Sequence, residues 1–318
     1  MRFRERVPVT LVGGFLGAGK TTLVNRLIAS GRRRYGVVVN EFGDVNVDAA
    51  LITELEEGGV AELEGGCVCC VGRADLTAAL HGLLTLEEPP EYILIELSGL
   101  ADPVPVAQEL LTTDWRGLLK LDGIVAVADA RNLERTIAEN PEGRAQLAYG
   151  SVVVLNKTDL VGGGELEGAR RLVAKTNPLA RIVETSHAAV EPEDITDLDA
   201  FEPGWKPRGH RHEHAADVTS LTLRSERPLQ LGRWIIFHQH MMLRYPDRVL
   251  RAKGILEFEE LDYPMVLQAV RELYRFDAYE GEHGGGTEVV IIGKDLDEEE
   301  YREAFERVVA PEYEGRLF

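Results

Sequence analysis

Cysteine is scarce in this chain: three occur in 318 residues, Cys67, Cys69 and Cys70, all within one short stretch. A disulfide scaffold spreads its cysteines along the sequence, so that class is excluded, and a lone cluster of thiols points instead to metal or redox chemistry. Lysine is scarce too, seven against 28 arginines. No apolar run approaches the roughly 20 residues that a membrane-spanning helix needs, so no membrane partner is expected. The amino-terminal Met1-Arg2-Phe3-Arg4-Glu5-Arg6 is basic but leads into a strand-like run without the apolar core of a signal peptide. A cytoplasmic protein is the expectation. An excess of positive charge is also lacking. The net charge of −19 argues against nucleic acid as the main partner, because phosphate backbones bind cationic surfaces. What remains is ordinary for a globular chain of two domains, with 44% hydrophobic and 28% charged residues and no internal repeat.

What is present begins near the amino terminus. Gly14-Phe15-Leu16-Gly17-Ala18-Gly19-Lys20-Thr21 satisfies G-x-x-x-x-G-K-[ST]. Val7 to Val12 ahead of it reads as a buried strand, and Thr22 to Ile28 behind it carries apolar residues at helical spacing. Strand, glycine loop and helix are the context that gives the motif meaning. The glycines let backbone N–H groups turn inward around phosphate oxygens, and the helix amino terminus adds its positive end. Gly14, Gly17, Ala18, Gly19, Lys20, Thr21 and Thr22 are therefore the candidate phosphate cradle. Lys20 is expected to reach the β- and γ-phosphates and to act in catalysis, with Thr21 on Mg²⁺.

Short β-branched runs then alternate with helical stretches. Strands are expected at Tyr35–Asn40, Val60–Glu64, Tyr92–Glu96, Ile124–Asp129, Val152–Asn156 and Arg181–Glu184, with helices such as Ala74–Leu84 and Glu165–Thr176 between them. This pattern predicts an α/β fold, a doubly wound and mostly parallel P-loop sheet with ligands at the carboxyl ends of its strands. Residues 1–197 are assigned to this domain. The following segment, 198–216, lacks periodicity and is rich in Pro, Gly and His, as an exposed linker would be. Residues 217–318 read as a smaller α+β domain. It has strands at Val218–Leu223, Leu250–Leu261 and Thr287–Ile292, a helical stretch at Leu231–Leu243 and a final helix at Glu298–Val309. Val266–Tyr274 fits a strand or a helix equally well.

Three further motifs sit at strand ends. Asn156-Lys157-Thr158-Asp159 follows an apolar strand, where N-K-x-D reads guanine. Asp159 would accept from the base N1–H and amino group, while Asn156 and Lys157 brace the loop. Adenine offers no donor pair at that edge, so GTP is favoured over ATP. Thr185-Ser186, after the next strand, is expected to contact the base through its backbone. Glu96-Leu97-Ser98-Gly99 puts a carboxylate where it can hold Mg²⁺ and assist hydrolysis, with the Gly99 amide towards the γ-phosphate. Glu41 and Asp44, in Asn40-Glu41-Phe42-Gly43-Asp44, are candidate switch carboxylates near the metal or γ-phosphate.

Gly65-Gly66-Cys67-Val68-Cys69-Cys70 turns the chain and then opens the Ala74–Leu84 helix. A helix amino terminus favours thiolate, and thiolates favour soft metals. Cys67, Cys69 and Cys70 give three ligands, one short of a closed tetrahedral zinc site, and an open position suits transfer. Zn²⁺ and Co²⁺ both fit such a site. His210, His212 and His214 alternate, so an extended chain would point all three to one side and let them collect metal. A merely solvated linker explains them equally well. His238 and His240 read as structural, and His283 is unassigned.

Taken in order, G-G-F-L-G-A-G-K-T-T, N-E-F-G, E-L-x-x-G-C-x-C-C, E-x-S-G and N-K-x-D resemble the CobW-like family of P-loop GTPases. Leu250-Arg251-Ala252-Lys253-Gly254 and Val290-Ile291-Ile292-Gly293 are similar to that family's carboxyl-terminal domain. One departure is Gly65, where a polar residue is more usual. The resemblance implies a slow GTPase and metallochaperone that handles Zn²⁺ or Co²⁺ at Cys67, Cys69 and Cys70. GTP would gate the geometry of those ligands, and the metal would go to a client metalloprotein or a cobalt- or zinc-requiring enzyme. A GTP-dependent homodimer is carried as a candidate assembly. The rival readings are a zinc buffer or sensor with incidental nucleotide binding, and a small-molecule kinase, which would leave Asn156 to Asp159 without a role.

Overall fold

The computed structural model describes residues 6–39, 60–62, 73–111, 115, 117–201, 218–245, 248–271, 273–279 and 284–310. It divides into two compact units, Met1–Phe201 and Glu202–Phe318.

In the first unit seven strands form one sheet. They are β1 (Val7–Gly14), β2 (Tyr35–Val39), β3 (Val60–Glu62), β4 (Tyr92–Glu96), β5 (Leu119–Asp129), β6 (Val152–Asn156) and β7 (Arg181–Glu184), in the order β3-β2-β4-β1-β5-β6-β7. Every pairing is parallel. The unbroken Val, Ile and Leu runs follow from that, since parallel strands bury both faces. Helices α1 (Lys20–Ala29), α2 (Arg73–Leu84), α3 (Val104–Leu110), α4 (Leu133–Glu139), α5 (Pro141–Tyr149) and α6 (Gly163–Thr176) alternate with the strands. Residue parity decides the faces. Val125, Val127, Val152 and Val154 pack with Leu23, Val24 and Leu27 of α1. Their neighbours Ala126, Ala128, Val153 and Leu155 pack with Leu133, Ile137, Leu147 and Val173 on the other side. Each fully buried Leu or Val contributes about 1.5–3 kcal/mol, so two sandwiched layers hold the strand ends in place.

The sheet departs from the sequence reading in β1, which runs on from Val12 to Gly14, and most in β5. β5 starts at Leu119 rather than Ile124, with a register shift opposite Val9 and Thr10. Asp122, fully buried, hides this stretch from an apolar pattern. Its carboxylate accepts from the Tyr92 hydroxyl at 2.5 Å and from the Leu198 and Asp199 amides at 2.9 Å, fastening the end of the unit to the sheet. Helices α3, α4 and α5 went unread because they are short. Asn140, in extended conformation ahead of Pro141, splits what would otherwise be one longer helix.

The second unit is an antiparallel sheet of β8 (Val218–Ser225), β9 (Val249–Leu256), β10 (Met265–Val270), β11 (Leu273–Ala278) and β12 (Thr287–Lys294), ordered β11-β10-β9-β12-β8. Its core joins Leu221, Ala252, Leu267 and Ile291 to Trp234 and Phe237 of α7 (Leu231–Phe237) and to Tyr301 and Phe305 of α8 (Glu298–Glu306). This is the expected α+β arrangement, with differences in detail. Val266–Tyr274 is neither one strand nor a helix. It is the hairpin β10–β11, turned at Arg271, whose φ is 49°. Leu231–Leu243 changes from α to π pitch at His238. β9 stops at Leu256, and the chain then turns, with Leu261 N–H donating to Phe258 O at 3.2 Å. No helix of the described residues is long and apolar enough to cross a membrane.

Candidate nucleotide site

The phosphate loop leaves β1 at Gly14 and enters α1 at Lys20. Gly19 caps the helix in the left-handed region, φ 110°, and a Cβ there would lie 2.5 Å from Asn156 Nδ2, so only glycine fits. The first turn of α1 carries no acidic residue, which leaves its amide dipoles to an anion. Lys20 is buried at the base of the loop, with Nζ directed to Phe15 O at 3.4 Å. Thr21 Oγ1 donates to Glu96 Oε1 at 2.7 Å. Parallel pairing sets Glu96 level with Val12 on β1, which is how a residue 75 positions away reaches the first turn of α1. A hydroxyl and a carboxylate at this spot form the hard-oxygen pair that suits Mg²⁺. Gly99 lies against the loop, where a Cβ would be 2.7 Å from Leu16 N. Gly17 and Ala18 turn their carbonyls away from the cradle to other partners, and Thr22 is exposed on α1.

Asn156 and Lys157 lock this loop from the other side. Asn156 Nδ2 donates to Ala18 O at 2.9 Å, and its Oδ1 accepts from Ala188 N–H at 2.8 Å. Lys157, left-handed at φ 60°, donates through Nζ to Gly17 O at 2.7 Å and to Asp129 Oδ2 at 2.8 Å. Asp129 is a residue of this arrangement that sequence reasoning did not single out. Burial works to raise its carboxyl, but hydrogen bonds from Lys157 and Asn132 and the Lys157 charge outweigh that and hold it below the ordinary range. The available signal was its position, a carboxylate ending a strand beside β1, as Glu96 is.

Asp159 is the middle residue of a short 3₁₀ turn, Thr158–Leu160, which is tied to the loop after β7. Thr158 N–H and Oγ1 both donate to Thr185 O, at 3.2 and 3.1 Å, and Thr158 Oγ1 lies 3.0 Å from Ser186 Oγ. Among the described residues nothing accepts from the Ser186 or His187 N–H. The Asp159 carboxylate, an acceptor, thus lies in the turn fastened to this loop, its Oδ2 3.9 Å from His187 Nε2. Guanine, with N1–H and N2–H₂ beside O6, has the matching pattern.

The remaining sequence candidates fall elsewhere. Glu41, Asp44, Cys67, Cys69, Cys70, His210, His212 and His214 lie outside the described residues, as does His283. Among the described residues no cluster of three His, Cys, Asp or Glu side chains could hold a metal ion. α2 begins at Arg73, so Cys70 precedes its first residue by three positions. His238 is buried edge-on to Tyr274 at 4.5 Å, and His240 Nδ1 lies 3.0 Å from Ile236 O.

A family model for the CobW/HypB/UreG nucleotide-binding domain matches residues 8–184, the sheet and site just described. The chain belongs to this family. A second model, for the cobalamin synthesis protein cobW carboxyl-terminal domain, matches residues 218–309. The zinc chaperone YjiA of Escherichia coli is 30% identical, over 94% of this chain and 98% of its own. The zinc chaperone CobW of a Sinorhizobium species is 27% identical over 96% of this chain and 98% of its own. The zinc-regulated GTPase metalloprotein activator 1 of Schizosaccharomyces pombe is 36% identical over 62% of this chain and 50% of its own. In fold, the family member solved as zinc-bound YjiA GTPase from E. coli matches with a TM-score of 0.76 at 24% identity, covering 96% of this chain and all of that one.

Proposed function

We propose that this protein is a GTP-hydrolysing metallochaperone that binds Zn²⁺ or Co²⁺ at Cys67, Cys69 and Cys70 and hands it to a client metalloprotein. The observation that carries the nucleotide half is the double lock of the base-reading segment onto the phosphate loop, Asn156 to Ala18 and Lys157 to Gly17. Base recognition and phosphate binding are thereby made one rigid unit, as a dedicated guanine nucleotide site needs. Lys20 and the loop amides neutralise phosphate charge, Thr21 and Glu96 are the residues that would hold Mg²⁺, and Asp159 selects guanine. Bound Mg²⁺ would supply charge neutralisation between the β- and γ-phosphates.

The metal half draws on topology and on the relatives. β2 and β3 end level with Glu96, since Val39 pairs with both Glu96 and Glu62. Asn40, Glu41 and Asp44 follow Val39 in sequence, and Glu41 and Asp44 stay candidate switch carboxylates on that ground. β3 is three strands from β1, about 14 Å at ordinary strand spacing. The five residues from Glu62 to Cys67 can span at most about 17 Å, so the thiols can work beside the nucleotide. Relatives of nearly equal length named zinc chaperones support zinc as cargo. Co²⁺ remains within the reading because thiolate ligands accept both. The client partner, a GTP-dependent homodimer, the cytoplasmic setting, a slow turnover and any cargo role of His210, His212 and His214 belong to the same proposal.

Asp159→Asn tests the base assignment. The amide would place a donor where guanine has donors, so GTP affinity is expected to fall about a hundredfold or more, with xanthosine triphosphate binding recovered. Equal binding of ATP and GTP by the unaltered protein would overturn the reading.

A further inference from the structure

Gln146 belongs to none of the motifs, yet it grips the chain just beyond Glu96 from a neighbouring helix. It lies on α5, 4% exposed, and its Nε2 donates to Gly99 O at 3.2 Å and to Ala101 O at 3.0 Å. Two carbonyl oxygens at that range accept only from the NH₂ end of the amide, which fixes its orientation. Its Oε1 is left buried with no hydrogen-bond partner. An unpaired buried acceptor is costly, so what holds the amide in place is its two donors.

The turn that Gln146 grips is fixed at two other points. Leu97 N–H donates to Val12 O at 2.9 Å, carrying the β4–β1 pairing one residue past Glu96. Ala101 N–H donates to Ser98 O at 3.0 Å and closes a four-residue turn. The Ser98–Gly99 peptide is trans, so tying Ser98 O on one side sends the Gly99 N–H out on the other. Among the described residues nothing accepts from that N–H. Gly99 is also the residue that lies against Leu16 of the phosphate loop. The turn thus has its acceptors clamped and one donor open, beside the loop that would hold phosphates.

We infer that Gln146 is a positioning residue: by holding the Gly99 and Ala101 carbonyls it keeps the turn in the orientation that presents the Gly99 N–H to the terminal phosphate of GTP. This rests on the GTP reading above and deepens it. A donor fixed in advance costs no reorganisation when the phosphate arrives or when its charge shifts during hydrolysis. GDP lacks the terminal phosphate, so its binding does not draw on the clamp. A residue that merely fastened α5 to the loop would serve both nucleotides alike.

The test is Gln146→Met on the full chain. Methionine is close to glutamine in length, and the side chain borders a cavity of about 120 Å³, shared with Phe15 and Leu16, that gives it room. The variant keeps the packing and loses both donors. Affinities for GDP and for a non-hydrolysable GTP analogue are read by competition with a fluorescent guanine nucleotide. The GTP analogue should bind on the order of tenfold more weakly, the worth of one or two hydrogen bonds, with GDP affinity changed less than about twofold. The turnover of GTP should fall at least as far as the analogue's affinity. Equal losses for both nucleotides, or no loss for either, would make Gln146 a fastener alone and overturn the inference, leaving the GTP reading in place. Should the variant not fold, the readout is the Gln146 side-chain amide of the unaltered protein, observed by NMR after isotope labelling at glutamine. Its signals should shift when the GTP analogue replaces GDP, and unmoved signals would overturn the inference. Absence of guanine nucleotide binding by the unaltered protein would overturn both.

Discussion

The two units place their buried polar side chains differently. In the parallel unit Lys20, Glu96, Ser98, Asn156 and Thr185 sit at or just beyond the carboxyl ends of strands, while Thr10 and Asp122 within the sheet are bonded to each other and to the Tyr92 hydroxyl. In the antiparallel sheet Arg251 and Lys253, 1% and 4% exposed, lie in the middle of β9, with Gln268 opposite Lys253 on β10. The first arrangement is what a ligand site requires, because strand ends leave the core apolar and aim polar groups at a common crevice. The second puts cations inside a sheet. Burial lowers the Arg251 guanidinium to about 10, and burial followed by the Arg251 charge holds the Lys253 ammonium well below its usual value. One sheet concentrates its polar groups for chemistry, while the other keeps cations against their solvation preference.

Two substitutions should separate these regions. Lys20→Ala carries the largest expected effect. Removing a positioned charge of this kind costs about 10²–10³ in turnover, and Lys20 heads α1 with its Nζ directed back to the loop at Phe15 O rather than into an apolar layer, so GTP hydrolysis should fall below detection with the melting temperature nearly unchanged. Phosphate release assays beside thermal melts check this; unchanged turnover would remove Lys20 from the mechanism.

Lys253→Met should act the other way, on stability and not on hydrolysis. The folded state depresses the Lys253 pKa, so the unfolded chain binds more protons between that lowered value and the ordinary 10.5. Stability therefore rises with pH through that window and is reduced below it, with a limiting slope of about 1.4 kcal/mol per pH unit for one proton. Lys253→Met should flatten this dependence. Urea unfolding followed through Trp234, with Trp115 and Trp205 replaced by Phe, measures it. Equal slopes in the two proteins would show that Lys253 is not the titrating group.

The same contrast governs what could be read in the sequence. Strand-end motifs are local: Gly14 to Thr21 and Asn156 to Asp159 announce both themselves and the strands before them. The β-branched runs gave away the parallel sheet because such strands are apolar on both faces. Asp129 was not legible, since it acquires meaning only from Lys157, brought beside it by the fold. In the second unit the β10–β11 turn has no Gly, Pro or Asn to mark it; Arg271 takes the left-handed conformation unannounced. Lys253 in a strand reads as a solvated residue, and its burial is a tertiary outcome. The cysteine motif is legible as chemistry, and its geometry lies outside the described residues.

The central claim is that nucleotide and metal share one mechanism, and a single titration tests it most directly. Zn²⁺ or Co²⁺ is competed against a calibrated chelator on the full chain without nucleotide, with GDP, and with a non-hydrolysable GTP analogue. A triple Cys67→Ser, Cys69→Ser, Cys70→Ser variant serves to locate the metal. If GTP gates the thiolates, metal affinity should differ between nucleotide states by about five- to a hundredfold, and metal should shift GTP affinity by the same factor. Equal metal affinity in all three states would contradict the chaperone account and leave a zinc buffer with incidental nucleotide binding.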